Sequence, residues 1–201
     1  MTITAMITLF IAMILSAAIP GPSVFAVASR SASYGWKQGF LVVLGVLLAD
    51  YVFIFLALTG LSVVSSLLGE FAIVLKYVGA IYLFWLAYVT WSDTSSSDVK
   101  ATSNSGSSIL VGLLMTLSNP KAILFYMGFF PAFIDLKSID VLDAFLIISI
   151  STLSVGGVLC SYAIMASKAG KLLEGKQSKR WLHRLSGSIL ASCGTALIVK
   201  S

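Results

Sequence analysis

The sequence predicts an all-α integral membrane protein: six transmembrane helices in two inverted three-helix repeats, with helices 1 and 4 broken near the midplane. Three observations carry this expectation. The first is composition. Of 201 residues, 58% are apolar and only 10% are charged, and the mean hydropathy is +1.00. A soluble domain carries about 25% charged residues, and a single core of this size cannot hide so much apolar surface. Lipid is the expected solvent. Period-2 alternation is absent, which argues against an outer-membrane barrel. The second observation is a pair of interruptions. Pro20-Gly21-Pro22 breaks one apolar run, and Asn119-Pro120-Lys121 breaks another in the second half of the chain. Proline removes a backbone donor and clashes with the preceding turn. A broken backbone at membrane depth is tolerated only where it is buried in protein or lines a cavity. Matched interruptions in two halves are the sequence mark of a transporter's binding site. The third is the Ser-rich stretch Ser92 to Ser108, SDTSSSDVKATSNSGSS, which reads as a flexible loop and divides the chain into repeats at 1–92 and 109–201. The whole is one transporter domain, 1–201.

The elements follow in order. Ile3 to Ser29 carries no charge and is long enough to span even with its break at Pro20. No positive residue precedes it and the apolar run continues past Ser16-Ala17-Ala18, so it reads as a retained helix rather than a signal peptide. Arg30 to Gln38 reads as a short polar turn with interfacial Tyr34, Trp36 and Lys37. Gly35 and Gly39 form a GxxxG that fits a turn with close packing better than a dimer seam, and a homo-oligomer is left open. Helix 2 runs from about Gly39 to Val64, with Asp50 as its one charge. Helix 3 covers roughly Phe71 to Trp91, with Lys76 snorkelling near its start and an aromatic stripe from Tyr77 to Tyr88. Helix 4 runs from about Ile109 to Ile134, with Pro131 loosening its end. Asp135 to Asp143 reads as a short acidic loop. Helix 5 is about Val141 to Ser167, with Gly156-Gly157 as a close-contact or bend site. A basic loop follows from Lys168 to Arg184. In helix 6 only Leu185 to Val199 is free of charge, so the helix is expected to begin earlier, near Arg180-Trp181.

Net charge is +5, but Lys168, Lys171, Lys176, Lys179, Arg180 and Arg184 cluster in one segment. That is the pattern of a membrane-surface loop, not of a nucleic-acid partner. With Arg30, Lys37 and Lys100 on the same side, and Lys76, Lys137 and Lys200 on the other, the basic loop falls in the cytoplasm and both termini fall in the periplasm. A three-helix repeat must invert, so helices 1 and 4 cross in opposite directions, the geometry of alternating access.

Asp50 is an ionisable group near the centre of helix 2, where such groups face the bundle interior. It reads as a proton-coupling site or as the partner of an ion pair with Lys121. Lys121 has three roles open to it: holding a substrate carboxylate, neutralising Asp50, or reaching the interface. Asn119 either bonds backbone freed by Pro120 or bonds substrate. The Pro20-Gly21-Pro22 and Asn119-Pro120 breaks expose half-helix ends. Their N-termini suit a carboxylate and their freed carbonyls an ammonium group, so together they suit a zwitterion. Cys160 and Cys193 have no CxxC partner and read as packing residues. His183 lies beside Trp181 in the basic loop and reads as interfacial. No P-loop, GxSxG or HExxH is present, so neither an enzyme nor a cofactor is expected. Metal transport would want clustered intramembrane carboxylates, His or thiols, and no metal is expected. A non-transporting scaffold would explain the hydropathy but not the two matched breaks.

The letters also resemble a known family, the bacterial LysE/RhtB amino-acid exporters. The resemblance runs through AIPGPSVFAVASRSASYGWKQGF, GVLLAD ending at Asp50, YVGAIYLFWLAY, GLLMTLSNPKAILFYMGFFPAFI and RLSGSILASCGTALI, in this order. It implies a six-helix inner-membrane protein that exports amino acids or close derivatives by proton exchange, its partners being substrate, proton and lipid bilayer. It places Pro20, Gly21, Pro22, Asp50, Asn119, Pro120 and Lys121 at matching family positions. Neutral or small amino acids are the expected substrates, since several intramembrane acidic groups are lacking.

Overall fold

The fold comes from a computed structural model that describes residues 1–59, 105–126 and 139–171, together with residues 77, 80, 81, 84, 85, 87, 88, 91, 184, 188, 191, 192 and 195. Every element among them is helical. The chain runs through α1 (Ile3–Ala18), α2 (Pro22–Tyr34), α3 (Trp36–Leu58), α4 (Ser105–Leu117), α5 (Pro120–Leu124), α6 (Val141–Ser151), a π-helical turn (Thr152–Gly156) and α7 (Gly157–Lys171). The body of helix 3, most of helix 6 and the greater part of the basic loop lie outside the described residues. So do Lys76, Pro131, Lys137 and His183.

Apolar periodicity sets which faces are buried. On α1, Ile3, Ile7, Phe10, Ile11 and Leu15 are exposed, while Leu9 and Met13 are fully buried. The exposed set repeats at helical spacing and forms one stripe. On α3, Leu44, Leu48, Val52 and Phe55 form a second such stripe. Exposed stripes of large apolar side chains suit hydrocarbon rather than water. Two described helices, Trp36–Leu58 and Val141–Lys171, are long and apolar enough to cross a membrane, and a third span results if the bent pair α1–α2 is counted as one.

The first span breaks where the sequence places the break. Pro20-Gly21-Pro22 ends α1 and starts α2, and the two pieces meet at 61°. Ile19 and Gly21 are extended, and Pro22 takes the first helical position of α2, where its missing N–H costs nothing. The second break falls at Ser118-Asn119, with Asn119 extended and Pro120 opening α5.

Several expected boundaries move. The polar turn expected at Arg30 to Gln38 is not a turn: α2 continues to Tyr34, and Gly35 alone, at φ +88°, separates it from α3. That left-handed conformation is one glycine adopts without a Cβ penalty. Helix 4 is already helical at Ser105, ahead of the expected Ile109, so the end of the Ser-rich loop is helical. Its serines have partners there, Arg30 Nη2 donating to Ser107 Oγ at 3.1 Å and Ser108 Oγ donating to Gln38 Oε1 at 2.6 Å. Helix 5 does start at Val141 as expected, which puts Asp143 in its first turn, where Asp140 caps the helix and the Met1 amine pairs with Asp143 at 2.6 Å. Helix 5 runs on past Ser167, so Lys168 and Lys171 form its last turn instead of opening a loop. Basic groups there complement the helix dipole.

Contacts along the spans fix their directions. Ser23 meets Thr116 while Arg30 meets Ser107, so the first broken span and the second run antiparallel. Met1 meets Asp143 and Ala18 meets Tyr162, so the first span runs parallel to α6–α7. Gly45 and Gly112 bring α3 against α4. A Cβ on Gly45 would lie 1.9 Å from the Ile109 carbonyl oxygen, and one on Gly112 would lie 2.0 Å from that of Val42. Backbones this close require glycine on both sides of the crossing. Apolar side chains from α2, α3, α4 and α7 form one buried cluster, and those from α1, the end of α3 and α6, with Tyr126, form another.

Gly112→Ala is expected to push α3 and α4 apart at a cost of about 1–3 kcal/mol, the usual penalty for overpacking. The thermal unfolding midpoint of the purified protein in detergent, followed by circular dichroism, measures it.

Candidate functional site

A cavity lies where the two breaks face each other. Its walls come from α1 (Met13, Ser16, Ala17), the first break and α2 (Gly21, Ser23, Val24), α3 (Val46, Asp50), α4 and α5 (Thr116, Asn119, Lys121, Ala122), Phe125 and Tyr126, and the π-turn and α7 (Val155, Leu159). About 510 Å³ of empty space lies in and around it, the open space at its mouth included. Sites for small molecules are mostly apolar with a few placed polar groups. This lining has that character.

Of the sequence-selected residues, Gly21, Asp50, Asn119 and Lys121 come together in the wall. Pro20 and Pro22 do not line it; they shape the break. Pro120 does the same as the first residue of α5.

Asp50 sits in the middle of α3 with only 3% of its surface exposed. Tyr126 hydrogen-bonds its carboxyl. The second oxygen, Oδ2, has no hydrogen-bond partner among the described residues. A buried carboxyl oxygen left unpaired is costly, and Asp50 is one of the residues of the cavity wall. The Tyr126 hydroxyl also lies 3.4 Å from Ser151 Oγ. Its ring stacks on Phe53 at 5.7 Å, which holds the hydroxyl on the Asp50 side of α3.

Of the roles the sequence leaves open for Lys121, the structure bears on the pairing with Asp50. Lys121 forms no ion pair with Asp50 among the described residues. Its ammonium donates instead to the Ser16 carbonyl and, at 2.9 Å, to the Ile19 carbonyl at the end of α1. The freed carbonyls expected to meet a substrate's ammonium group are met by a tethered one. Tyr162 Oη donates to the Ala18 carbonyl at 2.9 Å and completes the end of α1.

Asn119 does bond the freed backbone. Its Oδ1 accepts from the Lys121 N–H at 3.1 Å and caps α5. Its Nδ2 donates to Ser23 Oγ at 3.4 Å, and Ser23 Oγ lies 3.1 Å from Thr116 Oγ1. The N-terminus of α2 differs: Gly21 supplies no capping side chain, and Gly21, Ser23 and Val24 line the cavity.

Sequence reasoning missed Ser16, Ser23, Thr116, Tyr126 and Tyr162. Ser23 and Thr116 each lie within one turn of a break, and a polar residue that close to a broken backbone is the signal that would have found them. The π-turn at Thr152–Gly156 ends at the Gly156-Gly157 pair that the sequence marks as a close-contact or bend site. Tyr51 Oη and Thr152 Oγ1, 2.8 Å apart, tie it to α3.

The arrangement defines a helical membrane protein with a mostly apolar cavity, carrying a few polar groups, built on two antiparallel broken spans. Comparison with known proteins gives the family. Residues 14–201 match the LysE type translocators, and the chain belongs to that family. The family is one of transporters rather than enzymes. The chain is 42% identical to an uncharacterised membrane protein of Synechocystis sp., over 97% of this chain and 96% of that one. It is 35% identical to a leucine efflux protein of Klebsiella pneumoniae over 74% of this chain and 72% of the relative. It is 31% identical to a leucine efflux protein of Enterobacter sp. over the same shares of the two chains. No solved structure matches it.

Asn119→Ala is expected to lower stability by about 1 kcal/mol through loss of the α5 cap, and Asn119→Asp to restore most of it by keeping the capping oxygen. Unfolding midpoints of the three proteins in one detergent decide this.

Proposed function

We propose that this protein exports small neutral amino acids, leucine and similar aliphatic ones, across a bacterial inner membrane in exchange for protons. The observation that carries the reading is the unpartnered Oδ2 of buried Asp50 in the same cavity wall as the uncapped N-terminus of α2. A zwitterion needs a negative group for its ammonium and a donor set for its carboxylate, and these two features supply them. Met13, Val24, Val46, Phe125, Val155 and Leu159 leave apolar wall for an aliphatic side chain. The names of the leucine efflux relatives agree with that choice.

Coupling follows from the scarcity of negative charge. Among the described residues, Asp50 is the one acidic residue in this wall. A single carboxylate holds either a proton or the ammonium group of a substrate. Substrate arriving from the cytoplasm displaces the proton, and a proton arriving from the periplasm displaces the substrate. Each passage of the cavity across the membrane then carries one or the other, which is exchange. Tyr126 keeps the carboxyl oriented in both states.

The topology that goes with this reading is two inverted three-helix repeats, 1–92 and 109–201, with both termini in the periplasm. The antiparallel course of the two broken spans supports it.

In cells loaded with a leucine-containing dipeptide, the protein is expected to speed release of free leucine, and a protonophore to slow it. Asp50→Asn is expected to cut proton-driven release by roughly 100-fold, the scale of a lost proton-transfer group, while membrane insertion is unchanged by immunoblot of the membrane fraction. Undiminished release from that variant would sink the coupling role.

A further inference from the structure

The start of α5 reaches back into the first span and holds both of its halves. The Lys121 ammonium donates to the carbonyls of Ser16 and Ile19, at the negative end of the α1 dipole. Its stem passes Gly21, where an added Cβ would lie 3.8 Å from Lys121 Cδ. Two residues earlier, Asn119 Nδ2 donates to Ser23 in the first turn of α2. One turn of α5 therefore spans the 61° bend between α1 and α2.

We propose that Lys121 is a positioning residue: its ammonium clips the end of α1 to the start of α5, and turnover of the cavity from one side of the membrane to the other requires that clip to open and reclose. It does not hold the substrate's carboxylate. The inference rests on the reading of this cavity as the transport site. One feature makes such a clip reversible. Both acceptors are neutral carbonyls, so releasing them strands no counter-charge. A contact that can be made and broken in this way is a two-state element of the kind that coupled motions need.

The test separates binding from movement. Lys121→Gln and the parent protein are reconstituted in vesicles, and radiolabelled leucine is followed for equilibrium binding and for exchange at saturating concentration. Lys121→Gln is expected to keep its Kd within about threefold while exchange at saturation falls about tenfold or more, the size of one lost charge-assisted pair of hydrogen bonds. A Kd raised by about tenfold with saturated exchange unchanged would overturn the proposal and make Lys121 a substrate ligand. So would exchange that is unaffected altogether. Lys121→Cys, inserted first and then aminoethylated with bromoethylamine, guards against misfolding. Restored exchange after alkylation is expected, and no restoration in inserted protein counts against the clip. A last arm needs no substrate. In a chain whose own cysteines are serine, Ala17→Cys reports the end of α1. Lys121→Gln is expected to speed its labelling by a soluble maleimide by about tenfold. Unchanged labelling overturns the clip. If the parent protein binds no leucine but the labelling changes, the substrate assignment fails and the clip stands.

Discussion

Every backbone polar group at membrane depth has to find its partner inside the protein, and the two broken spans concentrate that demand in one place. At the end of α1, three carbonyls within four residues have left their helix, those of Ser16, Ala18 and Ile19. Each ends on a side chain from the second half of the chain, Lys121 or Tyr162. The start of α5 is satisfied by its own Asn119. The start of α2 is not capped by a side chain. The cavity exists because these ends meet there, and the groups left over give it polarity: an uncapped helix start and one oxygen of Asp50. A continuous helix in either place would have satisfied its own backbone and left nothing for a solute to meet.

The rest of the fold serves to hold those ends in register. The Gly45–Gly112 crossing sets how closely α3 approaches α4, and with it how far Asp50 stands from the second break. Gly35 lets α2 turn directly into α3 without a loop, so Arg30 reaches Ser107 and Gln38 reaches Ser108 at the start of α4. The π-turn between α6 and α7 shifts the helix face mid-span, and Val155 reaches the cavity wall from it while Thr152 meets Tyr51. π-turns recur at functional sites because the extra residue re-aims side chains without ending the helix.

How much of this was legible depended on which residues leave a local mark. Proline and glycine constrain the backbone wherever they stand, so both breaks could be read directly. Asp50 stood out because a lone charge in a long apolar run is costly anywhere. Gly35 was harder, since its neighbours Tyr34, Trp36 and Lys37 look like an interfacial turn, and only its positive φ shows that one residue suffices. The Ser-rich stretch was judged by composition, which says nothing about the partners that draw Ser107 and Ser108 into α4. Lys121 is legible as a cavity residue, but its carbonyl partners are not. Its reach to Ser16 and Ile19 depends on the angle between α1 and α2, and no letter of the sequence encodes that angle.

The glycine crossing also says where motion has to come from. Two backbones in contact at one point resist sliding, because any shift along either axis drives a neighbouring side chain into the gap. Rotation about the contact point is not blocked in that way. The pair α3–α4 is thus built as a fulcrum that carries Asp50 as a fixed post. The half-helices outside that pair are α1, α2 and α5, and on the proposed reading any swing past the Asp50 carboxyl belongs to them.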